Sequence, residues 1–475
     1  MKTQWAIGWV VMIGCFGCGL EGKQRGAPAP KGGSPREPSP QTGGVDAGFD
    51  DAGAEAEDAG VPDEGVADAG LLDAGAVDAG APDAGALDAG SVDAGTWTPG
   101  AWPDSPALNY STHFGIDPVQ SVGVDDASNL WLLAGDRIGV LRPGELHPHW
   151  TSGVGQAAQG FGPDALALGS TVICGGAAGQ AYVGYAAADL SNTARTSTDD
   201  PEYLKGDLDL VAVAPDGAVS LQTHVSQSVV YQGSAQQRLG IRNSNDWHYD
   251  EDRTVLTCHR LMRGPNRGDL FIGTNHGVTM IRGAVYNSHR HPVWDVNGSL
   301  RIGYSFALGS SFDGAQVLIG NEWKIGILKA PADLALWDRS VENPWVLDTF
   351  VAPLNSLELM DYWRGFTQAK EGSYYLASER YGLWKMAFTP GAAPTFTSIA
   401  GLPTSALGAV QATDDGSVFI ATSGNGLWRL LDSGQLTPVA EVAGSRVKQL
   451  VYDPTAAPSM LFVLTEAGLT VLRGH

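Results

Sequence analysis

LGAVQATDDGSVFIATSGNGLWRLLDSG, residues 407–434, decides the fold. Its parts follow one another as strand, tight turn, strand, glycine turn, strand. Asp415-Gly416 is a dipeptide that accepts the positive φ angles of a hairpin turn. Val418 to Thr422 alternates its side chains at period two, Gly424 and Gly426 interrupt the alternation, and Leu427 to Leu431 resumes it. A single meander of this kind cannot bury its faces, so it needs copies of itself packed alongside.

The copies are present. The first is VGVDDASNLWLLAGDRIGVLRP, residues 122–143, which aligns Asp125-Asp126 with Asp414-Asp415 and Trp131 with Phe419. The second begins near Ala165 and has its middle strand at Ala181 to Ala186. Further middle strands fall at Asp269–Gly273, Gln316–Gly320, Tyr374–Ala377, Ser417–Thr422 and Met460–Leu464, and each is followed by a glycine and another apolar strand. Leu208 to Val225 is open to reading as an eighth copy. However, the second copy lacks a third strand and this segment lacks the usual glycine turn, so it is read as strands three and four of the second unit. The expectation is therefore an all-β chain forming a seven-bladed β-propeller rather than an eight-bladed one, at about 50 residues per blade. The last unit stops after its third strand, and Leu108 to Phe114 is expected to supply its missing outer strand and close the ring.

The pattern of strand, Asp-Asp-Gly, strand, Gly-Leu-Trp-Arg-Leu, best at residues 401–433, resembles the repeats of two-component regulator propellers in bacteria. The resemblance implies a propeller outside the cell acting as a sensor domain. No histidine kinase follows here, so the signalling output is not expected.

The first hundred residues are of another kind. Lys2 precedes an apolar run from Trp5 to Ile13, and Met12-Ile13-Gly14-Cys15 resembles the lipobox of bacterial lipoprotein signal peptides. Residues 1–14 read as the signal peptide and Cys15 as the lipid attachment site, with Cys18 as the alternative. Residues 15–100 read as a disordered tether in which Asp-Ala-Gly occurs nine times between Asp46 and Gly95. That composition cannot form a core, and like charges extend it. Each repeat offers one carboxylate where a calcium loop gathers several, which argues against calcium. Residues 101–475 are the propeller. The chain carries a net charge of −23 with no basic stripe in either part, so nucleic acid is not expected as a partner.

Connections in a meander alternate between ends, so second-to-third turns and blade-to-blade loops share one face. On that face the sequence places Trp247, His248, Asp250 and Glu251 in a long insertion, His276 in a turn, His289 and His291 between the third and fourth blades, Glu322, Trp323 and Lys324 in the fourth blade, and Arg380 in the fifth. Tryptophans beside charged side chains suit a glycan or peptide groove. His248, His276, His289 and His291, with the acids, are candidate metal ligands, since imidazole and carboxylate suit zinc, copper or iron. No pair has the spacing of a specific metal motif, so no cofactor is assigned. No nucleophile elbow or phosphate-binding loop occurs. Cys174 and Cys258 are read as two buried thiols rather than a bridge. The function expected is a monomeric binding module for a protein or polysaccharide, lipid-anchored in the cell envelope, at the outer membrane. The rival is an envelope lyase or hydrolase using the His/Asp cluster.

Overall fold

The structure is a computed structural model. It describes residues 100–155, 169–186, 208–225, 254–274, 277–283, 285–290, 293–296, 299–302, 304–321, 324–329, 345–350, 362–389 and 392–475. The expected signal peptide (residues 1–14), the expected lipid-attachment residue Cys15, and the expected Asp-Ala-Gly tether up to residue 99 lie outside these residues.

The described chain opens with a short strand, Ala107–Asn109 (β1), and one helical turn, Tyr110–Phe114 (α1). Blade 1 follows as Ser121–Val124, Leu130–Ala134, Arg137–Leu141 and His149–Ser152 (β2–β5). Blade 2 is Ser170–Gly175, Gln180–Tyr185, Leu208–Val213 and Val219–Val225 (β6–β9). Blade 3 is Val255–Arg260, Leu270–Thr274, Gly277–Arg282 and Val285–Arg290 (β10–β13), and is followed by a separate hairpin of Val293–Val296 and Ser299–Ile302 (β14 and β15). Blade 4 is Ser305–Ser310, Gln316–Asn321, Lys324–Lys329 and Trp345–Phe350 (β16–β19). Blade 5 is Trp363–Gln368, Tyr374–Ser378, Gly382–Ala387 and Thr395–Ile399 (β20–β23). Blade 6 is Leu407–Ala412, Val418–Thr422, Leu427–Leu430 and Leu436–Pro438 (β24–β27). Blade 7 is Val447–Asp453, Met460–Thr465 and Gly468–Arg473 (β28–β30), completed by β1.

Seven four-stranded antiparallel sheets therefore form a seven-bladed propeller. Leu208 to Val225 does serve as strands three and four of the second blade, because Gln180 to Gly184 pairs with Ala212 to Leu208. Each first strand lies against the first strand of the next blade, and β28 lies against β2, so the ring is closed. Second strands are sandwiched between neighbouring blades, which is why β21, β25 and β29 are buried at every position and read as unbroken apolar runs. Outer strands such as β23 are largely exposed and mix polar with apolar residues. Adjacent blades approach so closely that a Cβ on Gly175 would sit 1.7 Å from the Val124 carbonyl oxygen, and one on Gly309 2.1 Å from that of Phe366. Only glycine fits at such points of backbone contact.

Closure uses less chain than expected. β1 pairs with β30 through Ala107–Leu472, Leu108–Val471 and Asn109–Thr470, and the strand ends there. Asn109 accepts a hydrogen bond from the Thr112 amide at 2.8 Å, which starts a helix rather than continuing a strand, and Gly115 at φ 64 ends it. Tyr110 and Phe114, four residues apart on that turn, both point into the seam between blades 7 and 1. Inside the ring, the Gln449 side chain imitates a strand: its oxygen accepts from the Val122 amide at 2.9 Å and its nitrogen donates to the Val122 carbonyl at 3.0 Å.

Two further expectations need correction. In the turns, the amides of Asp125 and Thr413 make equivalent bonds, to the carbonyls of Asn129 and Ser417, so Asp125 matches Thr413 and Asp126 matches Asp414. Matching like residues had shifted the turn by one place; Ser128 at φ 57 stands where blade 6 has Gly416 at φ 84. Cys174 in β6 and Cys258 in β10 are joined by a disulfide, not left as thiols. Their strands are adjacent in the ring and their Cα atoms are 6.3 Å apart, within reach of a bridge.

Two outcomes follow from these contacts. Gln449→Leu leaves the Val122 amide and carbonyl without their partner and lowers unfolding free energy by about 2 kcal/mol, measured by urea denaturation. Reducing the Cys174–Cys258 bridge lowers it by about 2–4 kcal/mol, and thiol titration of the denatured, unreduced protein finds neither cysteine reactive.

Candidate functional site

The two faces of the ring differ in how much chain they carry. On the face of the first-to-second and third-to-fourth turns, most connections are tight: 125–129, 176–179, 214–218, 311–315, 369–373, 413–417 and 431–435. Its long exception is 330–344. The strand ends at the opposite face are joined by longer stretches of sequence, 153–169, 186–207, 226–254, 291–304 and 351–362. That face is the loop face, the same one on which the sequence places the candidate residues.

Trp247, His248, Asp250, Glu251, His276, His291, Glu322 and Trp323 lie outside the described residues. Lys324 opens β18 at the loop face and is buried, with 8% of its surface exposed. Arg380 is exposed in the turn between β21 and β22. His289 is not in a blade-to-blade loop as expected: it belongs to β13, the outer strand of blade 3, paired with Thr279. The strand extends because Val285 to Arg290 can pair along the whole of β12. Among the described residues, no group of three or more His, Cys, Asp or Glu side chains is arranged to hold a metal ion.

A rule at this face is legible in the repeat once the structure marks it. The second strand ends on a buried hydroxyl residue in four blades: Thr274, Ser378, Thr422 and Thr465. The Thr422 hydroxyl donates to Gly426 O at 2.7 Å and accepts from the Asn425 amide at 2.8 Å, which fixes the plain glycine turn. Thr274 and Thr465 donate in the same way to Gly277 and Gly468. Blade 4 has Asn321 at this place, and its side chain instead accepts from the Ser305 hydroxyl at 2.7 Å.

Chemistry that the sequence did not reveal lies in blade 2. His224 Nδ1 is 2.6 Å from Asp209 Oδ1, with the two residues 9% and 1% exposed. They are cross-strand partners on β8 and β9 at the loop-face ends of those strands, and the backbone of Gly155 packs against the Asp209 carboxylate and the Tyr185 hydroxyl. A carboxylate on Nδ1 sets the tautomer and orientation of an imidazole, the arrangement used for proton transfer through Nε2. The signal was an acid inside the apolar run Leu208-Asp-Leu-Val-Ala-Val213, which had been read as framework. His259 is different. The residue is half-buried overall, yet its Nε2 atom is enclosed without a partner, and burial pushes its pKa down to about 4.

The turn face carries its own charged cluster. Residues 261–269 of blade 3 form a longer turn than their counterparts. Arg260, beside them, donates from both terminal nitrogens to both oxygens of Asp126 in blade 1, at 2.8 and 2.7 Å, and Arg267 reaches the same carboxylate at 3.4 Å. Arg263 donates to the Asp414 carboxylate in blade 6 and lies 4.9 Å over the Phe312 ring. Blades 3 and 6 are as far apart as a ring of seven allows, so this ion pair crosses the axis. Burial works to raise the Asp126 carboxyl, but the hydrogen bond and charge of Arg260, with Arg267, hold it below its ordinary value. In blade 6, burial likewise raises Asp415, yet the Ser417 amide, His475, Thr413 and Arg429 together bring it down to about 2.

These pairs carry measurable consequences. Arg260→Ala, which leaves the solvent-accessible Asp126 carboxylate with only Arg267, costs on the order of 1 kcal/mol, and Arg263→Ala about 1 kcal/mol with stronger dependence on salt. Asp415 has a folded-state pKa below its ordinary 3.8. Its stabilisation is therefore complete above that value and lost as pH falls toward about 2. The stability gap between wild type and Asp415→Asn, followed by urea denaturation across pH, closes over that window.

Neither protein-family models nor curated proteins give a match to this chain. Among solved structures, it is similar to the extracellular domain of a protein described as a hybrid two component system, BT3049 of B. thetaiotaomicron, with 13% identity, a TM-score of 0.44, and coverage of 75% of this chain and 40% of that one. It is also similar to the β-propeller domain of Cps50 (Swd1) from Myceliophteria thermophila, at 10% identity and TM-score 0.40 over 67% of this chain and 82% of that one. The extracellular domain of a second such system, BT4673 of B. thetaiotaomicron, has 10% identity and a TM-score of 0.36, covering 74% of this chain and 44% of that one. This chain thus spans less than half the length of both B. thetaiotaomicron chains. Its seven-bladed architecture rests on its own strand pairing.

Proposed function

We propose that this protein is a binding module of the cell envelope, held by a lipid on Cys15 and an acidic tether, whose loop face engages a protein or polysaccharide. The observation that carries the reading is the asymmetry of the two faces. Chain beyond what is needed to join two strands is not required by the fold, and in rigid scaffolds such chain is where binding residues are placed. Here it is concentrated in the connections of one face, the face at which Arg380 is exposed in a short turn. The disulfide supports a compartment outside the reducing cytosol. No described helix is long and apolar enough to cross a membrane. The described chain begins on the opposite face, where the Gly100 amide bonds the Pro143 carbonyl.

Site-specific photo-crosslinking in cells tests this. A crosslinker at position 380 is expected to capture a discrete partner, and one at Ser433, exposed on the turn face, is not. Equal capture at both positions, or none, removes the binding reading. For the anchor, Cys15→Ser is expected to shift the protein from the membrane to the soluble fraction while Cys18→Ser leaves it bound.

The Asp209–His224 pair favours a second reading, an envelope hydrolase or lyase that transfers protons through His224. On that reading His224→Gln lowers turnover of a glycan or ester substrate by about 100-fold or more while crosslinking at position 380 persists. Unchanged turnover sinks the enzyme.

A further inference from the structure

The first strands of blades 2 to 7 share one irregularity at the loop face. In each, the pairing with the second strand skips a residue near the start of the first strand, where that strand enters from the loop face. The skipped residues are Thr171 and Leu256 in blades 2 and 3, Phe306 and Arg364 in blades 4 and 5, and Gly408 and Lys448 in blades 6 and 7. None of the six belongs to the buried core. A bulge leaves its extra residue outside the ladder and re-aims its side chain. First strands of successive blades lie against one another, so these positions follow each other around the axis.

Blades 4 to 7 put charge and aromatic surface there. The Arg364 guanidinium lies 4.5 Å over the Phe306 ring and 5.1 Å over that of Tyr362, and the two rings meet edge to face at 4.9 Å. Arg364 Nε donates to the Glu379 carboxylate at 2.6 Å, and the Glu379 amide donates to the Tyr362 carbonyl at 3.0 Å. The two side chains remain 27% and 36% exposed. A guanidinium stacked on two rings and held by a carboxylate is pre-oriented, so little entropy is lost when its outward nitrogens meet a ligand. In the next blade, Gly408 leaves a gap that backbone crowding does not demand: a Cβ there would meet only the Val447 carbonyl oxygen, at 3.5 Å. Beyond the gap stands Lys448, exposed and without an acidic partner among the described residues.

We propose that the loop-face ends of the first strands in blades 4 to 7 bind an acidic polysaccharide, a uronic acid chain whose carboxylates pair with Arg364 and Lys448 and whose hydroxyls donate to Glu379. The proposal rests on the reading of the loop face as a binding surface and names its ligand. Two cations flanking a gap, in a protein of net charge −23, call for carboxylate. Glu379 decides between carboxylate sources. The side chains of an acidic peptide bring acceptors alone and meet Glu379 as like charges, whereas a uronic sugar carries hydroxyl donors beside each carboxylate.

The test is affinity electrophoresis of the full chain through gels carrying polygalacturonate, alginate, dextran or polyglutamate. Retardation is expected with at least one of the two uronic chains and with neither of the others. Arg364→Gln and Lys448→Gln are each expected to weaken it about tenfold, the loss of one charge-assisted hydrogen bond. Should Arg364→Gln fail to fold, Lys448→Gln, at an exposed side chain, decides. Retardation by neither uronic chain overturns the proposal. Equal retardation by dextran or by polyglutamate overturns it too, the first showing a neutral glycan site and the second attraction by charge alone. Binding unchanged in Lys448→Gln places the ligand elsewhere and overturns it equally. Capture of a partner at position 380 without retardation by either uronic chain removes this ligand and leaves the binding reading of the loop face intact.

Discussion

The hydrogen bonds between β1 and β30 are the constraint on which the rest of this structure depends. Without them, blade 7 would end in an open edge of unpaired amides and carbonyls, a template for pairing with another chain. With them, residues at the two ends of the propeller share one sheet and the ring becomes continuous. Second strands such as β25 and β29 are buried on both sides only because a neighbouring blade stands on each side. Opening one seam would expose two apolar faces at once. The Gln449 side chain on Val122 and the aromatic packing of Trp102, Tyr110, Phe114 and Phe462 reinforce the seam where the ends meet.

A closed ring of identical connectivity separates its two faces. On one, the turns are short and their charges pair with one another: Arg260 reaches past blade 2 to Asp126, and Arg263 reaches across the axis to Asp414. Such pairs set the mutual position of distant blades more than they add net stability, since a paired charge gains little over its desolvation. The other face is held by a repeated buried hydroxyl at the end of the second strand, and this local lock lets the connections above it vary in length and composition. Blade 4 departs from that lock at Asn321, next to the Glu322-Trp323 that the sequence already marked as irregular. Blade 2 departs in another way, by burying an Asp209–His224 pair at the loop-face ends of β8 and β9.

The sequence by itself determined the repeat, the number of blades, the assignment of Leu208 to Val225 and the separation of faces. These follow from alternation at period two and from turn dipeptides, which act over a few residues and can be read along the chain. It also indicated which connections depart from the template. Only the tertiary structure decided the pairings between blades. Asp414 meets Arg263 across 151 residues of sequence, and Cys174 meets Cys258 across 84. Asp209 and His224 are 15 apart, yet meet only because β8 and β9 adopt one register out of several. Even the closing strand was shorter than its apolar pattern allowed, because Asn109 caps a helix that carries Tyr110 and Phe114 into the seam. Such contacts are fixed by register and ring closure, which the whole set of blades determines together and no local stretch encodes.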